Sequence, residues 1–403
     1  MRIAIINSVF DYGSTGSLAR QLYEYGKSRG IETYAFYGRG KEYADDHIIR
    51  IDHPIEVYFH KGMSLLAGNQ GYYSFRATRF LIRKIKELGI THFILLNLHG
   101  YYLNEPRFWK CLKDEKIHVV YVTPDEYAGL GKCAFCIECT KYQTECKDCP
   151  RVKVYPKSLF FDRSQSIFEM KKNAYRGIDN LTLMGPETNL QVFRKSALLQ
   201  GKRLQLLDWG IDTDTYRYSY DEDIFDKYSI PKDKVIVLTA AKYSNKRKGV
   251  KEYFFGVAQK LVNTDFHFIN VGYDGNLSKE EIPNNMTLIP YIGDQDELAK
   301  VYSIADVYLL SSISDTMPLS CLISFACETP VLCFNTSGLV NLDPEHVGAV
   351  EYVDDVSVNG LEKALTKYKK KDESIRVLCR QYAEDRFSKE IFNRKVFSAL
   401  EEQ

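Results

Sequence analysis

Apolar runs of strand length recur along the chain, and most of them end in small or polar residues before a segment of helical length. The first run, RIAIINSV at 2–9, leads through DYGSTG into an amphipathic segment. The second half repeats this order, where VYLL at 307–310 leads through SSISDTMP into LSCLISFACE. Short apolar runs that alternate with helices are typical of buried parallel strands. The alternation therefore predicts an α/β chain built on parallel sheets.

The size and charge of the chain limit its organisation and its partners. At 403 residues it is too long for one typical domain and fits two. Lys and Arg number 54 against 53 Asp and Glu, a balance that argues against a nucleic-acid partner and favours a small molecule. No apolar run approaches the roughly 20 residues that span a bilayer, and the first strand lacks the features of a signal peptide. We therefore expect a cytoplasmic protein, with any membrane contact made at the inner face.

Polar residues follow the predicted strands of the first half. Ser14 and Thr15 can cap a helix or bind a ligand hydroxyl, and Gly16 allows close approach of the backbone. The run THFILLNLHG ends at His99, and KIHVVYVTPDEY ends at Asp125. Because the carboxyl ends of parallel strands share one edge of a sheet, these residues predict a ligand site there, with Asp125 as its acidic group. His99 is equally compatible with a core imidazole whose hydrogen bonds are satisfied.

Five of the ten cysteines lie within 17 residues, in the spacing C-x2-C-x2-C-x6-C-x2-C between Cys133 and Cys149. Thiolates at this spacing suit a structural zinc ion, although the two outer pairs are closer together in sequence than in common zinc ribbons. Disulfides and free thiols are the alternatives. The other five are predicted to be core residues, at Cys111, Cys321, Cys327, Cys333 and Cys379.

The second half contains a cationic loop and a polar turn, each following a predicted strand. Lys242 ends one strand, and Arg247 and Lys248 precede Gly249 at the start of a helix. Cations beside a helix N-terminus predict a diphosphate pocket, with a solvated basic loop as the alternative. In the polar turn, Asp315, Thr316 and Met317 lead into an apolar helix, which is also compatible with an ordinary strand, turn and buried helix.

A basic amphipathic helix is predicted at 71–88, with five cations and an apolar stripe that includes Phe80, Leu81 and Ile85. Its cationic face is explained either by solvation or by contact with anionic lipid headgroups or a pyrophosphate-linked acceptor.

Together these segments resemble the family 4 retaining glycosyltransferases of the GT-B fold, in the capsule and exopolysaccharide branch of bacteria. The resemblance is carried by GSTG at 13–16, LHGYYLN at 98–104, the cysteine segment at 131–150, YPKSLFFDRS at 155–164, GID at 210–212, KRKG at 246–249 and the stretch around Asp315. It implies two Rossmann-like domains with parallel sheets facing across a cleft. The implied bounds are 1–208 for the acceptor domain with its insert at 131–150, 209–384 for the nucleotide-sugar domain, and 385–403 for a terminal helix that packs back towards the first domain.

The resemblance also implies an activity. Such an enzyme moves a sugar from a UDP- or GDP-linked donor to a saccharide or lipid-linked acceptor in surface polysaccharide synthesis, with retained configuration and without a metal ion for catalysis. Positive charge near the phosphates stabilises the leaving diphosphate. The implied catalytic residues are Asp125, Lys248 and Asp315. The donor-binding residues are Gly16, Lys242, Lys248, Asp315, Thr316 and Met317, and the acceptor-binding residues are Ser14, Thr15, His99 and Asp125. The family pattern assigns the structural zinc to Cys133, Cys139, Cys146 and Cys149, with Cys136 as a substitute ligand.

The chain departs from the family pattern at four positions. Ile323 replaces the acidic residue that binds the ribose, and Pro124 replaces the histidine of a His–Asp pair. Glu328 stands at a glycine position, and Trp209 stands at an asparagine position. These changes favour an alternative, a catalytically degenerate homologue that binds a sugar or a partner protein. A phosphorylase on the same scaffold is a weaker alternative.

Overall fold

The protein is described by a computed structural model, which covers residues 1–136, 139–153, 155–313, 315, 317–336 and 338–402. It divides into two compact units. The first comprises Met1–Leu207 together with Asn393–Gln403, and the second comprises Asp208–Phe392.

The N-terminal unit contains a parallel sheet of seven strands in the order β3-β2-β1-β4-β5-β6-β7. Its strands are β1 (Arg2–Val9), β2 (Glu32–Arg39), β3 (Ile48–Arg50), β4 (His92–Leu95), β5 (His118–Val122), β6 (Leu181–Gly185) and β7 (Arg203–Leu206). Its helices are α1 (Gly13–Ser28), α2 (Pro54–Ala67), α3 (Phe75–Leu88), α4 (Glu105–Asp114), α5 (Ser164–Arg176) and α6 (Glu187–Lys195). The central strand β1 is buried from Ile3 to Ser8, as its apolar sequence requires.

The C-terminal unit contains a second parallel sheet, of six strands in the order β10-β9-β8-β11-β12-β13. Its strands are β8 (Val235–Ala240), β9 (Phe266–Val271), β10 (Met286–Ile289), β11 (Val307–Leu310), β12 (Val331–Phe334) and β13 (Val350–Val353). Its helices are α7 (Asp223–Lys227), α8 (Phe255–Lys260), α9 (Gln295–Ile304), α10 (Leu319–Ala326), α11 (Val358–Leu365) and α12 (Glu373–Phe387). The last helix, α13 (Lys389–Glu401), begins in this unit and ends in the first.

Each sheet reverses its strand order once, between β1 and β4 in the first unit and between β8 and β11 in the second. In open α/β sheets, ligands bind outside the carboxyl ends of the strands at such a switch point. The two sheets confirm the predicted pair of Rossmann-like domains.

Two details differ from the sequence prediction. The basic helix begins at Phe75 rather than Gly71, because Ser74 adopts a left-handed conformation with φ 58°. Its buried residues are Ala77, Thr78, Leu81 and Ile85, and Phe80 is only half-buried. The terminal helix is interrupted at Ser388, whose extended backbone separates α12 from α13. Among the described residues, no helix has the length and hydropathy needed to cross a membrane.

Candidate functional site

The switch point of the N-terminal sheet places the predicted acceptor residues on neighbouring strands. Ser14 and Thr15 lie in the first turn of α1, directly after β1. Gly16 is buried, and a Cβ atom there would lie 3.2 Å from Val9 Cγ2 and 3.3 Å from the backbone nitrogen of Asp11. A side chain here would be tight, so glycine favours close packing against β1, whatever its contact with a ligand.

His99 and Asp125 form a largely buried hydrogen-bonded pair after β4 and β5. His99 Nε2 lies 2.6 Å from Asp125 Oδ2, and the hydroxyl of Tyr155 lies 2.9 Å from His99 Nδ1. An imidazole that donates from Nε2 to the carboxylate accepts the Tyr155 proton at Nδ1. The backbone N–H of Tyr127 donates to the other carboxylate oxygen of Asp125 at 2.9 Å. Asp125 is thereby held in one orientation at the edge of the sheet.

The five clustered cysteines line a single cavity of about 20 Å³, the space of one water molecule or ion. All five are half-buried and none forms a disulfide. The Cys133 thiol donates to Cys149, which raises the pKa of Cys133 and lowers that of Cys149. No group of three or more side chains among the described residues is already arranged as a metal-ligand set. Zinc binding therefore requires these thiols to turn further into the cavity. The five isolated cysteines are buried, which confirms the prediction that they belong to the core.

Hydrogen bonds from Cys136 and Lys171 connect the cysteine segment to the turn that follows Asp125. The backbone N–H of Cys136 donates to the carboxylate of Glu126, which follows Asp125. Lys171, which is fully buried, donates to the carbonyl oxygens of Tyr127 and Leu130 at 2.6 and 3.0 Å. Its burial lowers the pKa of its ammonium group to about 8. The turn after Asp125 and the start of the cysteine segment therefore share one set of hydrogen bonds.

The switch point of the C-terminal sheet brings together the two segments predicted to bind the donor. Lys248 Nζ lies 2.5 Å from Asp315 Oδ2, and Arg247 Nη1 lies 3.2 Å from Asp315 Oδ1. Gly249 makes this approach feasible, because a Cβ atom there would lie 2.2 Å from the carbonyl oxygen of Ser311. Its φ of +64° also favours glycine. Lys242 lies in the same loop after β8 and is exposed.

The remaining predicted donor residues differ in their placement. Met317 is buried in the core, and its sulfur accepts the backbone N–H of Trp209 at 3.3 Å. Thr316 lies outside the described residues. Ile323, on α10, is half-buried and packs against the core of this unit. It offers no acceptor for a ribose hydroxyl.

Glu328 joins the turn after α10 to α12 by a contact that its sequence position did not indicate. It adopts the left-handed conformation, with φ 61°, which glycine occupies most readily. Its carboxylate accepts hydrogen bonds from Arg376 Nε at 2.9 Å and Nη2 at 2.8 Å. The left-handed residue in the turn after α10 is thus joined to α12 by an ion pair.

Two site residues were missed by the sequence analysis. Tyr155 was included only as part of a motif, and Arg247 only as part of a basic loop. The signal for Arg247 was available, since it directly precedes Lys248 in the turn at a strand end. No local pattern indicates that Tyr155 contacts His99, because the two are separated by 56 positions.

Comparisons with known proteins agree with this arrangement. Residues 221–386 match the family model described as Glycosyl transferases group 1. WcaC of Escherichia coli (strain K12), provisionally named a colanic acid biosynthesis glycosyl transferase, is 25% identical over 189 residues. That alignment covers 44% of this chain and 46% of WcaC.

Solved structures match over the whole chain. Sucrose-phosphate synthase of Thermosynechococcus elongatus has a TM-score of 0.65 at 17% identity, covering 100% of this chain and 98% of that protein. HepE of Anabaena, in complex with UDP, has a TM-score of 0.64 at 12% identity, covering 100% of both chains. HepE in complex with UDP-glucose has a TM-score of 0.60 at 11% identity and the same coverage. The chain therefore has the GT-B fold, and its residues 221–386 carry the sequence pattern of the glycosyl transferases of group 1.

Proposed function

We propose that this protein is a retaining glycosyltransferase that transfers a sugar from a UDP- or GDP-linked donor to a saccharide or lipid-linked acceptor in surface polysaccharide synthesis. The observation that carries the proposal is the contact of Arg247 and Lys248 with Asp315 at the switch point of the C-terminal sheet. The match of residues 221–386, the UDP-glucose complex of HepE and the name of WcaC support it.

The cationic turn supplies the electrostatic part of the reaction. The diphosphate of the donor replaces Asp315 as the partner of Lys248 and Arg247, and Lys242 adds a further cation. When the bond between the anomeric carbon and the diphosphate oxygen breaks, its electron pair moves to that oxygen. Fixed positive charges beside the phosphate stabilise the transition state. The released Asp315 carboxylate then accepts a hydrogen bond from a hydroxyl of the donor sugar.

The N-terminal unit binds the acceptor in this proposal. Asp125, oriented by His99, accepts a hydrogen bond from the acceptor hydroxyl, and Ser14 and Thr15 bind other hydroxyls. The acceptor oxygen forms its new bond on the face of the sugar from which the diphosphate leaves. Its proton passes to the departing phosphate oxygen, so configuration is retained and no metal ion is needed.

Calorimetric titration with UDP- and GDP-sugars tests the donor site. We expect saturable binding of one donor by the wild type, and affinity lower by about tenfold to a hundredfold in Lys248→Gln, which removes one charged hydrogen bond. Lys363→Gln, an exposed lysine on α11, is the matched control and should bind as the wild type does. Absence of binding at millimolar donor would exclude this function.

The alternative function is a degenerate homologue that binds a donor or a partner without transferring the sugar. Ile323 favours it, because an aliphatic side chain leaves the ribose without its expected acceptor. Slow hydrolysis of a bound UDP-sugar by the wild type, abolished in Asp315→Asn, would support the enzyme. Binding without hydrolysis or transfer to any acceptor would support the degenerate homologue.

Peripheral contact with an anionic membrane is also proposed. The outer face of α2 exposes Tyr58 by 74% and Phe59 by 58%, and Phe160 is exposed by 70%. The segments are adjacent, because the backbone N–H of Leu159 donates to the carbonyl oxygen of Leu65 at 2.8 Å. Exposed aromatic rings on a helix that also exposes Lys61 suit an anionic lipid interface. Sedimentation with phosphatidylglycerol vesicles tests this, and the double variant Tyr58→Ser/Phe59→Ser should remain in solution.

We further propose one structural zinc ion on Cys133, Cys139, Cys146 and Cys149, with Cys136 as a substitute ligand. Support comes from the shared cavity and from the preference of zinc for thiolates. When bound, the ion would stabilise the segment that follows Asp125. Elemental analysis of freshly purified protein tests the proposal, and less than about a tenth of an equivalent of zinc would exclude it.

A further inference from the structure

A cationic cavity of the N-terminal unit lies next to the His99–Asp125 pair. It measures about 480 Å³, within the range of pockets that hold small molecules. Arg39, Lys61, Lys157, Tyr101 and Tyr155 contribute to its lining. Tyr155 joins the cavity to the pair, because its hydroxyl contacts the His99 ring at 2.9 Å. A group bound in this cavity is therefore close to the proposed acceptor site.

The three cations of the cavity have no acidic partner. Among the described residues, no carboxylate lies within ion-pair distance of Arg39, Lys61 or Lys157, and the described lining contains no acidic side chain. By contrast, Arg50 in the adjoining cavity pairs with Glu42 at 3.2 Å. Like charges held near one another repel, and an anion placed among them relieves that repulsion. The lining therefore favours an anionic ligand.

The fold brings these groups together from separate elements. Arg39 is the last residue of β2, and Lys61 lies on α2. After β4, Gly100 has a φ of +137°, and a Cβ atom there would lie 2.9 Å from Ser8 Cβ. The sharp turn at Gly100 places His99 against Asp125 and Tyr101 in the wall of the cavity. The same turn thus serves both the pair and the cavity.

We propose that this cavity binds a phosphate group carried by the acceptor. The fork of Arg39, the ammonium groups of Lys61 and Lys157, and the tyrosine hydroxyls supply the donors that a phosphate requires. This inference rests on the proposed function in naming the acceptor, whereas the binding of phosphate does not depend on sugar transfer. The donor diphosphate has its own cations in the other unit.

Calorimetric titration with inorganic phosphate and with glucose 6-phosphate, in the presence of saturating UDP, tests the cavity directly. We expect saturable binding by the wild type and affinity lower by about tenfold or more in Arg39→Gln and in Lys61→Gln. Arg39→Lys should bind phosphate more tightly than Arg39→Gln and less tightly than the wild type. Lysine keeps the positive charge but lacks the paired N–H groups of the guanidinium. These side chains are exposed, so the variants should fold, and thermal unfolding verifies this.

Lys195→Gln is the matched control, an exposed lysine on α6 without an ion pair among the described residues. It should bind phosphate as the wild type does. Phosphate binding that Arg39→Gln and Lys61→Gln leave unchanged would overturn the proposal, as would an absence of binding by the wild type. If only phosphatidylglycerol vesicles bind, and only with Arg39 and Lys61 intact, these cations would belong to a membrane surface instead. The titration with UDP-sugars decides the proposed function separately.

Discussion

His99 Nε2 lies 2.6 Å from Asp125 Oδ2, which joins the carboxyl ends of two neighbouring strands through their side chains. The residue before Asp125 is Pro124, which has no side-chain donor, and the imidazole that contacts Asp125 follows β4. The pair is largely buried, with side-chain exposures of 8% for His99 and 14% for Asp125. A carboxylate in this position needs hydrogen-bond donors, because burying a charge without partners costs free energy.

A double-mutant cycle should show that His99 and Asp125 are energetically coupled. His99→Ala leaves the carboxylate without its side-chain donor and should lower the free energy of unfolding by about 1–3 kcal/mol. In the Asp125→Asn background, His99→Ala should lower the free energy of unfolding by less than it does in the wild type, by a difference of at least about 1 kcal/mol. The reason is that no buried charge remains. Urea unfolding of the wild type, the two single variants and the double variant measures the coupling. Additive effects of the two substitutions would contradict it.

The contact of Lys248 with Asp315 predicts opposite effects of substituting its two members. The Asp315 carboxylate pairs with the ammonium group of Lys248, with which the donor diphosphate must also pair. Removing this competing charge in Asp315→Asn should therefore leave UDP binding at least as tight as in the wild type. Lys248→Gln should bind UDP about tenfold more weakly or worse. Calorimetry with UDP measures both, with Lys363→Gln as the control. A parallel loss of UDP affinity in Asp315→Asn would show that the carboxylate binds the nucleotide instead.

Much of the fold follows from local sequence pattern. Apolar runs such as RIAIINSV and VYLL become central strands because such segments are stable only when both faces are covered. Their polar ends then converge, since parallel strands share one edge. For the same reason His99 and Asp125, predicted independently, lie side by side.

Other parts of the site depend on contacts that no local pattern contains. Tyr155 contacts His99 across 56 positions of the chain, and Cys136 of the intervening cysteine segment donates its backbone N–H to Glu126 in the turn after Asp125. The pairing of Lys248 with Asp315 depends on the close approach of Gly249 to Ser311, across 62 positions of the chain. The ion pair of Glu328 with Arg376 likewise joins residues that are 48 positions apart in the chain. Such tertiary contacts can override local preferences.

Glu328 provides a test of how the turn after α10 is stabilised. Glu328→Ala retains the cost of a left-handed conformation and loses the ion pair with Arg376. Glu328→Gly loses the ion pair but removes the conformational cost, so it should be more stable than the alanine variant by about 1 kcal/mol. Thermal unfolding of the two variants measures the difference. Equal stability would mean that the backbone conformation at this position carries no strain.

Asp52 should make the stability of the N-terminal unit depend on pH. Burial raises the pKa of its carboxyl group to about 7, and Glu56 adds to the rise. Between about pH 4 and pH 7 the folded state holds a proton that the unfolded state has released. Stability contributed by this group is therefore present at low pH and is lost as the pH rises towards 7.

Asp52→Asn removes this dependence while keeping an oxygen that accepts the backbone N–H of His53, a bond of 2.7 Å in the wild type. We expect the variant to be more stable than the wild type by about 4 kcal/mol at pH 8 and nearly equal to it at pH 4. Urea unfolding across this range measures the difference, with Asp46→Asn, an exposed carboxylate of the same unit, as the control. Parallel stability profiles for the wild type and Asp52→Asn would show that Asp52 is ionised in the folded protein at low pH.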